Sequence, residues 1–219
     1  MKKYAIILAV MLFAACPGGN VAEEYKLPRP LQTDRSIEEC LAERRSVRSF
    51  ASDTLTTEQI ATLLWAAQGI TDTTRGFRTA PSAGATYPLE TYLVTAGGIF
   101  LYHPAAHKIT LLKKGDKRAE LALACLGQYW VGKAPASIIL CAVPKRTSQR
   151  YGERAMRYIW MEAGHAAQNI LLEAVALGLG GVPIGAFSDD AVAKLLDLDD
   201  STIPLYVIPV GVPAKSARP

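Results

Sequence analysis

The sequence predicts an α+β fold, a central and mainly antiparallel sheet flanked by helices, and three observations carry that expectation. Candidate strands and helices occur in mixed order, with few clean strand–helix–strand units. Residues 99–103 and 108–112 read as two strands on either side of turn residues, as in a hairpin. Residues 137–143 and 205–210 are continuous apolar runs, the pattern of strands buried on both faces. Helices are expected at 36–43, where Ser36 and Glu39 have capping-box spacing, and at 57–68, opened by Thr56 with Gln59 and stopped at Gly69. Three more are expected at 116–127, 152–177 and 189–196, with a polar loop over 70–87 and a strand over 90–96.

The chain has 219 residues, half of them hydrophobic and 20% charged, which excludes disorder and allows a core without disulfide staples. Net charge is +4, and loss of residues 1–15 would leave +2, too small a surplus to predict a nucleic-acid partner. The four cysteines at 16, 40, 125 and 141 form no close pair, so no metal site is expected.

Lys2 and Lys3 precede a 12-residue apolar run over 4–15, too short to span a bilayer as a helix. This order describes a signal peptide, and Leu12-Phe13-Ala14-Ala15-Cys16 resembles a bacterial lipobox. The expectation is a signal over 1–15, lipid on Cys16, a tether over 16–35 and one domain over 36–219, at the membrane of a bacterial cell envelope. An ordinary secretory signal or a buried N-terminal helix are the alternatives. Cys40, Cys125 and Cys141 read as buried free thiols.

Three familiar chemistries fail on spacing. Residues 178–185 place Pro183 where a dinucleotide loop has its third glycine, and they end a helix rather than open one. Ala80-Pro81-Ser82-Ala83-Gly84 lacks the first glycine of a nucleophile elbow, leaving a serine hydrolase built on Ser82 as a remote reading. Glu162 and His165 have Glu-x-x-His spacing, but one copy makes no carboxylate metal site, and His165 reads as a polar residue buried against a helix. His103 and His107 flank the hairpin turn and read as solvated.

Arg44, Arg45 and Arg48, with Ser46 among them, cluster at the end of a helix. Such arginines complement the helix dipole, yet a guanidinium fork with a hydroxyl is also what a phosphate requires. Lys215 and Arg218 can add charge to the same pocket. With the Gly-rich backbone segment, these clusters suggest a phosphorylated planar cofactor.

Arg44-Arg45-Ser46-Val47-Arg48-Ser49-Phe50 resembles the opening motif of the nitroreductase-like flavin oxidoreductases. Leu64-Trp65-Ala66-Ala67-Gln68-Gly69, the run from Pro81 to Glu90, and the runs from Glu162 to Asn169 and from Ala176 to Phe187 resemble the SagB-type dehydrogenase branch. That branch includes oxidases that turn azolines into azoles in modified peptides. The resemblance implies a homodimer with one FMN in each of two interface pockets. It implies that Arg44, Ser46 and Arg48 hold the phosphate, ribityl chain and ring edge, with Arg45 in the same cluster. It implies that Pro81, Ser82 and Ala83 reach the flavin from the partner subunit, and that Pro183, Ile184, Gly185 and Ala186 lie under it, the Gly185 N–H near N5. Lys215 and Arg218 resemble the C-terminal basic pair of the family, with an extra residue between them. The amide-bearing residue of the family's Pro-Ser loop is here Ala85. Azoline oxidases use a Lys-Tyr pair in proton removal; this chain has Arg150 and Tyr151 there, which leaves Tyr151 as the candidate proton-transfer residue or a helix cap.

The expected activity is hydride transfer to or from flavin N5, with a small molecule or peptide as substrate. An NAD(P)H-dependent nitro or quinone reductase, and a non-catalytic flavin-binding lipoprotein, are the alternatives.

Overall fold

The computed structural model describes residues 23–214. The elements, in chain order, are strand β1 (Glu24–Lys26), helices α1 (Ile37–Glu43) and α2 (Thr57–Gln68), strands β2 (Ile70–Asp72), β3 (Phe77–Arg78), β4 (Leu89–Thr95), β5 (Gly98–His103) and β6 (Lys108–Lys114), helices α3 (Arg118–Ala124) and α4 (Tyr129–Lys133), strand β7 (Ala136–Ala142), helices α5 (Lys145–Tyr151) and α6 (Ala155–Ala176), strand β8 (Gly180–Gly181), helix α7 (Asp189–Leu196) and strand β9 (Ile203–Gly211). Seven strands form one sheet in the order β1-β6-β5-β4-β7-β9-β8, and every pairing in it is antiparallel.

The period of two along the central strands builds the layers. Ile138 and Leu140 of β7, with Ile208 and Val210 of β9, face a core shared with Leu63 and Leu64 of α2 and Ile159 and Ile170 of α6. Ile139, Cys141 and Val207 point the other way, onto Leu121, Val131, Val192 and Leu196 of α3, α4 and α7. The sheet is therefore sandwiched between two helical layers, which is why β7 is buried at every position.

Local chemistry starts the helices where the sequence indicates. Ser36 and Thr56 both form complete capping boxes, with Glu39 and Gln59 bonding back to the cap N–H groups at 2.8 and 2.9 Å. The long helix α6 starts at Ala155, three residues later than expected, because Gly152 turns the chain with φ +52. The expected helix over 116–127 stops at Ala124, since Leu126 and Gly127 take left-handed backbone (φ +57 and +75); α4 then begins a new direction. The polar loop over 70–87 contains the small β2–β3 ribbon.

Three expectations are corrected. Part of the supposed tether is structured, because β1 pairs with β6, Leu27 is buried, and the Pro28 carbonyl lies 2.8 Å from His107 Nε2. His103 and His107 are half-buried and bonded, to Thr110 and to Tyr102 and Pro28, rather than solvated. His165 is exposed on α6 rather than buried. Cys40, Cys125 and Cys141 are buried free thiols, and burial pushes Cys125 up to about 12. Cys16, and with it the signal and lipid expectation, lies outside the described residues.

Gly69 ends α2 for a different reason than a left-handed cap. Its φ is −62°, and a Cβ there would overlap the Trp65 indole, which folds back over the helix end. Gly69→Ala is therefore expected to destabilise the protein by about 1–3 kcal/mol through overpacking, read as a lower urea midpoint at unchanged slope.

Candidate functional site

The segment after α1 builds the arginine strip. Arg44 is the C-cap of the helix, and the chain then runs extended against the end of the sheet. Ser46 forms a parallel bridge with Gly181, and the Val47 N–H donates to the Gly181 carbonyl at 3.0 Å. Further on, the Ala51 N–H donates to Val212 O (2.9 Å) and the Ala214 N–H donates to Ser49 O (3.0 Å). Alternation along this strip turns Val47 inward, against Gly180, and leaves Ser46 and Arg48 exposed on the other side. Gly180 has no room for a side chain, because a Cβ would stand 2.5 Å from Val47 Cγ2.

Arg45 departs from the expected role. Its Nη1 donates to the carbonyls of Ala42 (2.9 Å) and Arg44 (2.8 Å), so it satisfies the C-terminal end of α1. Arg44 and Arg48 form no ion pair among the described residues. Lys215 and Arg218 lie outside the described residues, but the chain passes into that tail from Ala214, bonded beside the strip.

The segment 183–186 begins one residue beyond β8, after Val182. Ile184 exchanges both backbone bonds with Val207 of β9, at 2.8 and 3.0 Å. The Gly185 N–H shares a trans peptide plane with the Ile184 carbonyl, which faces β9, so that N–H points away from the sheet. Gly185 and Ala186 are exposed. Ser46 bridges Gly181 and Ile184 pairs with Val207, so the strip with Arg44, Ser46 and Arg48 and the segment Pro183, Ile184, Gly185 and Ala186 both adjoin the β8–β9 part of the sheet. Two guanidinium groups with no ion pair among the described residues, and a hydroxyl, suit a monophosphate, and the bare Gly185 backbone suits a flat ring.

Pro81, Ser82 and Ala83 occupy a second place. No hydrogen bond or ion pair among the described residues ties them to the strip. Their loop is strained, with Gly84, Ala85 and Tyr87 at φ +58, +53 and +44. Ser82 Oγ accepts the Tyr87 N–H at 2.9 Å, and Arg150 Nη1 donates to Gly84 O at 3.3 Å. Tyr151 packs edge-on to Tyr158, and its hydroxyl would stand 2.6 Å from a Cβ on Gly84. Tyr151 therefore lies on the Pro-Ser loop and at the end of α5, rather than only capping the long helix.

Beneath this loop is a buried polar cluster that brings Arg78, which no sequence pattern marked, toward Glu162. Arg78 donates from Nη1 to Gln68 Oε1 (2.8 Å) and stacks 4.5 Å over the Tyr87 ring. Glu162 is only 2% exposed, and its Oε1 has no hydrogen-bond partner among the described residues. Burial pushes its carboxyl up to about 7, while the Ser82 hydroxyl and the Arg78 charge draw it down. Glu162 is buried where His165 is exposed, so the Glu-x-x-His spacing does not converge on one point.

Glu162 holds its proton more tightly folded than unfolded, so the native state binds more protons between the two values. Stability should then fall as pH rises from about 4.5 to about 7, by on the order of 3 kcal/mol, and level off above. Glu162→Gln should remove this dependence, as denaturant titrations across pH 4–9 will read.

Comparison with known proteins identifies the family. Residues 41–212 match the family model described as "Nitroreductase family". The nitroreductase-named protein MJ1384 of Methanocaldococcus jannaschii is 43% identical over 181 residues, 80% of this chain and 90% of that protein. An FMN reductase (NADPH) of Bacillus subtilis is 26% identical over 191 residues, 81% of this chain and 66% of the relative. A crystal structure of a nitroreductase-named protein from Ralstonia eutropha superposes with a TM-score of 0.81 at 28% identity, covering 90% of this chain and 93% of that one. With the sheet order, the arginine strip on β8 and the exposed 185–186 backbone already in place, the match over 172 of the 219 residues, 41 to 212, leaves one assignment: the chain belongs to the nitroreductase family.

Proposed function

We propose that this nitroreductase-family oxidoreductase is a homodimeric, lipid-anchored dehydrogenase of the SagB type, acting on a small molecule or peptide at the membrane of a bacterial cell envelope. The cofactor is FMN, which supplies hydride acceptance at N5 when bound. Arg44, Arg48 and Ser46 present the charge and hydroxyl for its phosphate and ribityl chain. Arg48 near the ring edge would favour negative charge there and raise the reduction potential. The outward Gly185 N–H offers a donor without a side chain to cover the ring.

The observation that carries the dehydrogenase reading is the seat of Arg150 and Tyr151 on the Gly84 backbone of the Pro-Ser loop. In the dimer that loop reaches the partner's flavin, and Tyr151 arrives with it to move the substrate proton. Arginine stays protonated and serves as a fixed charge beside the tyrosine, not as a base. The exposed Ile37 and Leu41 of α1, and Trp160 and Met161 of α6, supply apolar surface for a dimer contact.

Under anaerobic mixing, the flavin band should bleach with a thiazoline-bearing peptide and persist with NADPH. Bleaching by NADPH alone would establish instead the reductase reading, which the name of the Bacillus subtilis relative favours. Tyr151→Phe should slow substrate-driven bleaching by roughly 10²-fold without weakening FMN binding. Arg44→Ala should weaken FMN binding by about 1.5–3 kcal/mol in a flavin titration. For the anchor, a labelled fatty acid should enter the wild-type protein and not Cys16→Ser; an unlabelled, soluble wild type refutes the lipid.

A further inference from the structure

The corner between α3 and α4 has no part in the roles above, yet it reaches the exposed backbone at 185–186. Leu126 and Gly127, both left-handed, reverse the chain there. For Leu126 that conformation costs roughly 1–2 kcal/mol, so some interaction of the corner must hold it. The reversal delivers Gln128 as the N-cap of α4, but its side chain makes no capping bond. Short side chains cap helices best, and this longer one is used elsewhere. Gln128 Nε2 donates to the Ala186 carbonyl, 58 residues away, at 2.8 Å. A carbonyl only accepts, which fixes the amide orientation.

A second bond ties the same two segments. The Ser188 N–H donates to the Ala124 carbonyl at 2.9 Å, and Ser188 caps α7 through Ala191. On its other side the turn is held by the Ile184–Val207 pair. Residues 185–187 are therefore slung between two anchors, Ile184 and Ser188. Within that span Gln128 fixes the peptide plane between Ala186 and Phe187.

We propose that Gln128 is a positioning residue for the flavin-facing turn, holding the Ala186–Phe187 peptide plane so that the Ala186 backbone, and with it the Ala186 amide, keeps one orientation toward the ring, while the Ile184–Val207 pair sets that of Gly185. This rests on the FMN reading of the site. It predicts that the turn loosens when the donor is lost, and that a bound flavin senses the change in its potential.

The test uses the full chain in two states. Without flavin, amide hydrogen exchange should quicken at least tenfold over residues 185–187 in Gln128→Ala, with strand β9 unchanged. With FMN bound, the midpoint potential should move by at least the ~30 mV that a tenfold change in a two-electron equilibrium represents, while FMN affinity stays within about threefold. Gln128→Glu should match Gln128→Ala at pH 8, where its carboxylate cannot donate, and return toward wild type at low pH, where the protonated acid can. Wild-type exchange in Gln128→Ala overturns the proposal whether or not flavin binds, as does an unshifted potential in both variants. A wild-type protein that takes up no FMN, yet loosens at 185–187 in Gln128→Ala, upholds the tie and refutes the flavin reading alone.

Discussion

The bond from the Val47 N–H to the Gly181 carbonyl, with the ladder that continues to Ala214, is the constraint on which the site depends. The arginine strip belongs to no named strand, and left to itself an exposed run with three arginines would stay solvated. Zipped to β8 on one side and to residues 212–214 on the other, it is held as an added edge of the sheet. The absent side chain of Gly180 lets Val47 seat inward, and alternation then places Ser46 and Arg48 outward together. The same part of the sheet leads into residues 183–186, so the positive charge of the strip and the exposed 185–186 backbone both adjoin β8 and β9.

Around that junction the two helical layers have separate tasks. Helix α6 buries its apolar face against the sheet and carries Glu162 under the Pro-Ser loop, where Arg78 and Ser82 surround it. Helices α3, α4 and α7 cover the opposite face and clamp the 184–188 turn from the side. The bonds of Arg150, Thr147 and Ser82 offset the strain of the left-handed residues in the Pro-Ser loop.

Much of the fold was legible because its causes are local. The capping boxes at Ser36 and Thr56 and the apolar runs in β7 and β9 depend on neighbours a few residues away. The features that escaped depend on distant partners. Strand β1 forms because β6 offers an edge, and its three residues Glu24, Tyr25 and Lys26, all exposed, are too few to stand out as a strand in the sequence. Arg45 looked identical to its neighbours, and only the fold shows it bent back on α1. Gln128 and Arg78 sit in no motif whose spacing implies a role, and the Glu-x-x-His spacing of Glu162 points to a metal rather than to the buried place it has under the Pro-Ser loop. The Leu126-Gly127 pair marks the corner as a break, but what Gln128 reaches lies 58 residues further along.

The measurement that bears most directly on this account is a crystal structure of the protein with FMN bound. The account predicts the phosphate within about 3 Å of the Arg44 or Arg48 guanidinium and the Ser46 hydroxyl, and flavin N5 within reach of the Gly185 N–H. A flavin whose phosphate lies elsewhere, for example in the cleft lined by Arg78, Tyr87, His103 and Arg146, would contradict it.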